Sequence, residues 1–170
     1  MSLEVREIFD ATAVENDPLG FKLTKRAIQV PYIKDYDAVE NPRDWPKSFD
    51  LANWGFLVAR SNGVRVGGAA VAHDTPGLTM LEDRRDIAVL WDIRVSPDIR
   101  GKGVGTALFK SAEMWAITRG CRQLKVETQN INVPACRFYA KQGCVLRAIR
   151  PNVYREFPDE IQLLWYRELA

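Results

Sequence analysis

Five residues in a row of six, Arg100, Gly101, Lys102, Gly103 and Gly105, are where this sequence first suggests chemistry. Glycines carry no Cβ and leave backbone N–H groups uncovered. A helix opening at Val104 would aim its unpaired donors and the positive end of its dipole at the same point. Such a turn suits an anion, and above all a phosphate. Arg100 and Lys102 add positive charge beside it. The plain alternative is a tight turn whose basic side chains are merely solvated. A nicotinamide dinucleotide fold would need a third glycine where Leu108 stands, directly after its strand, with an acidic residue further on. Ser96 to Arg100 delay the turn, although Glu127 supplies an acid at the end of the following strand. The GxxxxGK[ST] pattern of a P-loop is absent.

Few other residue types offer chemistry. His73 is the sole histidine, which speaks against a His-based triad and against a metal site, so none is expected. Cys121, Cys136 and Cys144 are odd in number and contain no CxxC pair, which fits reduced, buried thiols in a cytoplasmic protein. The 170 residues suit one domain, 46% are hydrophobic and 27% charged, and the net charge is +2. No block of like charge points to nucleic acid. No apolar run approaches the length of a membrane span and no signal peptide opens the chain.

The elements that must hold the glycine turn follow from pattern. Leu3–Phe9 and, more loosely, Phe21–Tyr32 alternate as strands, with a turn at Asp17-Pro18-Leu19-Gly20. Pro31 to Phe49 is rich in proline and aromatics and reads as irregular or partly helical. Trp54–Arg60 and Val64–His73 flank Asn62-Gly63, a hairpin signal, and Gly67-Gly68 suggests a bulge or a close approach. Glu82 to Asp86 reads as a charged, solvated loop. Val89–Val95 is the strand before the glycine turn, stopped by Ser96-Pro97-Asp98. Apolar positions 104, 107, 108, 112, 115 and 116 predict a helix ended by Gly120. Gln123–Thr128 is a buried strand parallel to its predecessor. Asn130 or Asn132 caps a helix with Pro134 in its first turn, closed by Gly143. Cys144–Ile149 and Ile161–Leu169 are two last strands. Trp91, Trp115 and Trp165 read as core, and Trp45 and Trp54 as possible pocket walls. The class is α/β of the α+β kind: a mixed, mostly antiparallel sheet of six to seven strands with helices on both faces.

Arg100-x-x-Gly103-x-Gly105 resembles the R/QxxGxG/A signature of the GNAT acyltransferases. A second motif of that family, NxxAxxFYxxxG, is met at Asn132, Ala135, Phe138, Tyr139 and Gly143. The resemblance runs over roughly residues 54 to 169 and implies a GNAT fold with residues 1–170 as one domain. It also implies acetyl-CoA as co-substrate. Arg100, Gly101, Lys102, Gly103, Val104, Gly105 and Thr106 would hold its pyrophosphate. Ile93, Arg94 and Val95 would hold the acetyl thioester and pantetheine, and the strand near Val126 would splay away to admit them. Asn132, Ala135, Phe138 and Tyr139 would line the rest of the cofactor arm.

A narrower likeness, to streptothricin acetyltransferases, is carried by Glu127 to Asn132, Ala135 to Lys141, Asn152 to Pro158, Leu164-Trp165-Tyr166 and Pro31 to Lys34. Asp35 to Asp50 departs from it, mixing five acids with Arg43 and Lys47. The implied reaction is direct attack of a primary amine of a small cationic substrate on acetyl-CoA, with streptothricin the candidate acceptor. An ammonium must lose a proton before it attacks, and the departing thiolate must gain one. Tyr139 is the expected acid, unless it is simply a core tyrosine. Glu127 and Asp92 are the candidate bases. Glu127 could instead bond a loop amide, and Asp92 could pair with a nearby arginine. Two other readings stay open: an acetyltransferase of protein or peptide amino termini, and a non-catalytic acyl-CoA-binding module. A homodimer is compatible with either.

Overall fold

The computed structural model describes residues 1–14 and 20–169, and the turn expected around Asp17-Pro18-Leu19 lies outside them. Contacts group the chain into two compact units, Met1–Trp45 with Glu127–Tyr166, and Pro46–Val126 with Arg167–Ala170.

The second unit carries the glycine turn. Strands β3 (Gly55–Ser61) and β4 (Val64–Ala72) form the expected hairpin. Asn62 and Gly63, at φ +48° and +80°, make the left-handed two-residue turn that suits the twist of the flanking strands. The register passes from Ala59–Gly67 to Arg60–Arg65, so Val66 bulges out of β4. Gly67 lies beside that bulge, where a Cβ would stand 2.7 Å from the Arg94 carbonyl oxygen and 3.2 Å from Leu108 Cδ1. The expected close approach is therefore real. Gly55 serves a similar purpose, because a Cβ there would fall 2.3 Å from the indole of Trp115.

Strand β5 (Ile87–Val95) runs antiparallel to β4, with Trp91 bulged between the pairs Ala70–Asp92 and Val71–Leu90. Helix α3 (Val104–Ile117) buries Leu108, Phe109, Ala112 and Ala116. Phe109 rather than Ala107 faces inward: where two apolar residues are adjacent, the larger covers more surface. Strand β6 (Gln123–Gln129) is parallel to β5, as a strand–helix–strand connection requires. The charged loop before β5 is only partly solvated. Glu82 reaches back 2.6 Å to Nζ of Lys125, which is buried on β6 and also bonds the Met80 carbonyl. Of the tryptophans in this unit, Trp54 is buried, while Trp91 and Trp115 are half-buried. Trp54 packs on Phe49 and Trp91, with ring centroids 5.8 and 5.6 Å away.

The first unit opens with β1 (Ser2–Ala13) and β2 (Phe21–Asp35), an antiparallel pair longer than its alternation suggested. The register jumps from Val5–Tyr32 to Glu7–Ala27, which leaves Pro31 in a bulge where its missing N–H costs no ladder bond. The partly helical stretch that follows contains α1 (Tyr36–Val39), capped by Asp35, and begins α2 (Trp45–Ser48) at the unit boundary. Helix α4 (Val133–Lys141) has Pro134 in its first turn, and Gly143 closes it at φ +80°. Asn132 is its cap, accepting from Ala135 N at 3.2 Å.

Asn130 has another task. It is 2% exposed, exchanges backbone and side-chain bonds with Phe9, and accepts from Ile161 N at its amide oxygen. Val5, Ile8 and Ile131 pack beside it as a small core. Strands β7 (Val145–Arg150) and β8 (Gln162–Glu168) are antiparallel. Trp165 is buried and donates to Thr128 Oγ1.

The strands hydrogen-bond in the order β3-β4-β5-β6-β8-β7, a mixed six-stranded sheet, with β1-β2 as a separate pair. All three cysteines are buried, and none is in a disulfide. No helix among the described residues is long and apolar enough to cross a membrane.

Candidate functional site

In the second unit, β5 loses its parallel neighbour part-way. The β5–β6 register runs only from Ile87–Gln123 to Val89–Lys125. Ile87 to Leu90 are buried, and Trp91 to Val95 are half-exposed. On its other side β5 stays paired with β4 as far as Val95. Ile93, Arg94 and Val95 therefore lie on a strand half whose β6 edge is not used for pairing.

Beyond Val95 the chain makes one 3-10 turn, Pro97–Ile99, and enters α3 through glycines. Gly101 and Gly103 sit at φ +77° and +85°, and a Cβ at either would meet nothing within 4 Å. Their backbone angle demands glycine there, and the space above them is open. No side chain caps α3, so the donors of its first turn face outward. Arg100 leans back to the Val95 carbonyl at 3.3 Å. A strand half with a free edge leading to an uncapped, glycine-lined helix start fits a thioester arm ending in a pyrophosphate.

Asp92 and Arg94, two apart on β5 and on one face, are bound to each other: Arg94 Nε lies 2.9 Å from both carboxylate oxygens of Asp92. This is the ion pair that the sequence allowed as the alternative role for Asp92.

The first unit holds a continuous polar network. Glu127 Oε1 accepts from the Tyr154 hydroxyl at 2.6 Å, and Oε2 accepts from Gln162 Nε2 at 2.7 Å. Gln129 Nε2 donates to the Tyr154 oxygen at 3.3 Å, and the Tyr36 hydroxyl donates to Gln129 Oε1 at 3.1 Å. Asn132 Nδ2 then donates to Tyr36 at 3.2 Å while its oxygen caps α4. Burial pushes the Tyr154 hydroxyl well above its usual range, and the Glu127 charge adds to this. Burial does the same to Tyr36, opposed by the Asn132 bond and reinforced by Glu160. Both phenols therefore remain proton donors at neutral pH.

Tyr139 is buried on α4, its ring edge-on to Phe138 at 5.2 Å. Cys136, on the same helix, is raised by burial to about 11 and is no nucleophile. No cluster of metal ligands occurs among the described residues.

Sequence reasoning placed Glu127, Asn132 and Tyr139 but gave no role to Tyr36, Gln129, Tyr154 or Gln162. Gln129 could have been found, since it shares a β6 face with Glu127. Tyr154 lies within the stretch that carried the narrower likeness. Gln162 left no signal.

The family model described as the acetyltransferase (GNAT) family matches residues 24–144. The chain belongs to the GNAT acetyltransferases. Two relatives reach beyond the matched span. The streptothricin acetyltransferase of Escherichia coli is 33% identical over 166 residues, which covers 95% of this chain and 83% of that protein. Streptothricin acetyltransferase A of Bacillus subtilis strain 168 is 32% identical over 145 residues, covering 84% and 77%. Among solved structures, a nourseothricin acetyltransferase matches with a TM-score of 0.73 at 26% identity, covering 99% of this chain and 88% of that one. As a GNAT enzyme the protein is an acetyl-CoA-dependent N-acetyltransferase. The glycine turn and the free-edged half of β5 suit that co-substrate without adjustment.

Proposed function

We propose that this protein acetylates a primary amine of a small cationic molecule of the streptothricin class. The observation that carries the reading is the likeness to the streptothricin acetyltransferase of Escherichia coli over 95% of the chain, beyond residues 24–144 that the family model matches. When bound, acetyl-CoA supplies the acetyl thioester, held by the backbone of Ile93 to Val95, with its phosphates on Arg100 to Thr106. The amine nitrogen bonds to the acetyl carbon as the carbon–sulfur bond breaks. Glu127 takes the proton lost by the amine, and Tyr139 gives one to the departing sulfur. Glu127 is preferred over Asp92 because Tyr154 and Gln162, which bond its two oxygens, are neutral groups, whereas the Arg94 guanidinium holds both oxygens of Asp92 and favours its charge. Asn132, Ala135 and Phe138 line the path of the pantetheine.

The decisive experiment follows acetyl transfer from acetyl-CoA to streptothricin, to a panel of small amines and to peptides with free amino termini. Transfer to streptothricin with kcat/KM above that for peptides supports the reading. Peptide-only activity makes the enzyme an amino-terminal acetyltransferase. Tight acetyl-CoA binding with no transfer to any amine makes it a binding module. Tyr139→Phe should lower kcat while sparing acetyl-CoA affinity; equal losses in both would make Tyr139 structural.

A further inference from the structure

The first unit contains a cavity of about 770 Å³ that the acetyl-transfer roles above do not use. It lies along β2 and the segment Glu156 to Glu160 between β7 and β8, and its size is that of a small-molecule pocket. Ile33, Val39 and Pro158 give it apolar walls. One side is closed by a buried ion pair: Lys34 Nζ lies 2.8 Å from Glu160 Oε1, both side chains are under 8% exposed, and the ammonium sits 3.0 Å over the Phe157 ring. That pair is neutral overall. Arg26, also in the lining, is engaged by Asp10, and Asp35 caps α1.

Two lining carboxylates remain, Glu156 and Asp159, and neither has an ion-pair partner among the described residues. Tyr32, in the same wall, has its hydroxyl raised by burial and then by the charges of Glu160 and Asp159. Glu160, which lines the cavity, also raises the hydroxyls of Tyr36 and Tyr154, and Tyr154 is bonded to Glu127.

We infer that this cavity is a subsite for a second cationic group of the acceptor, an aliphatic amine whose methylene stem lies on Ile33, Val39 and Pro158 and whose ammonium is met by Glu156 and Asp159. The inference rests on the reading of the protein as an amine acetyltransferase and adds to it that the preferred acceptors are oligocations with an apolar spacer. Apolar walls alone would take any hydrophobe. The two uncompensated carboxylates select a cation, and methylene stems are the part of such a cation that apolar walls can bury.

The test compares n-pentylamine, cadaverine and trilysine as acceptors for the wild type and the Glu156→Gln/Asp159→Asn double variant. Both substitutions lie at exposed positions and keep side-chain shape. The wild type should favour cadaverine and trilysine over n-pentylamine by about tenfold in kcat/KM, through KM. The double variant should lose that preference and leave n-pentylamine turnover unchanged, and added salt should mimic the variant. Equal kcat/KM for mono- and dications in the wild type, or a preference that survives in the variant, overturns the subsite. If the wild type acetylates no amine, the acetyltransferase reading falls, and titration calorimetry with trilysine decides the subsite. Affinity about tenfold weaker in the variant supports it, and equal affinity overturns it.

Discussion

Tyr154 Oη donates to Glu127 Oε1 at 2.6 Å, and the same oxygen accepts from Gln129 at 3.3 Å, so one phenol joins the acid to the rest of the network. Tyr154→Phe deletes both bonds. Hydrogen bonds to charged groups contribute about 1.5–3 kcal/mol, so unfolding in denaturant should show a loss of that size. With Glu127 as proton acceptor, kcat should fall by about tenfold or more, within the range general bases supply. The acetyl-CoA Kd should not move.

Stability should decline in alkali in two steps. Burial raises Cys136 from 9.0 to about 11, and raises Tyr36 and Tyr154 above their usual 10.0. The folded chain thus holds these protons more tightly than the unfolded chain. Their contribution is complete below the unfolded values and is lost as pH climbs through the folded ones. Denaturant midpoints should begin to drop above pH 9 and fall more steeply above pH 10. Cys136→Ala should shrink the first step, to which Cys121, also raised by burial, contributes, and Tyr36→Phe should shrink the second.

Two glycine substitutions should separate packing from cofactor affinity. Gly55→Ala puts a methyl into the Trp115 ring and should destabilise by about 1–3 kcal/mol. Gly103→Ala meets no atom but must hold φ near +85°, at a cost of about 1–2 kcal/mol. Only Gly103→Ala should weaken acetyl-CoA binding in calorimetry, because its methyl stands in the open space above the turn.

Lys34 and Glu160 should behave as a unit. Lys34→Met strands a buried carboxylate and should cost about 3–5 kcal/mol, whereas Lys34→Met with Glu160→Met should recover most of that loss. Chemical denaturation of the three proteins closes the cycle.

Much of the second unit was legible because local rules govern it. Asn62-Gly63 sets a hairpin, Gly101 and Gly103 set a turn, and helical spacing sets α3. The first unit was harder to read. Pro31 sits inside a strand because a bulge excuses it, and nothing in the linear pattern around Pro31 announces that bulge. Asn130 looked like a helix cap because Asn is a good cap, but long-range partners on Phe9 and Ile161 claimed it instead. Glu82 looked solvated until Lys125 came to lie under it. In the candidate site, Glu127, Asn132 and Tyr139 were expected from motifs, while Tyr36 and Gln162 join the polar network through contacts that tertiary structure alone creates.

The Asn130 amide, which binds Phe9 across 121 positions and Ile161 across 31, also sets an order of events during synthesis. The second unit is almost one uninterrupted run, from Pro46 to Val126, and can begin to condense while the chain is still being made. The opening hairpin emerges from the ribosome first but has nothing to dock on until Asn130 and Ile161 emerge. For most of translation its apolar residues Val5 and Ile8 are without their partner Ile131. A nascent chain stalled between residues 126 and 160 should therefore be the form most in need of a chaperone.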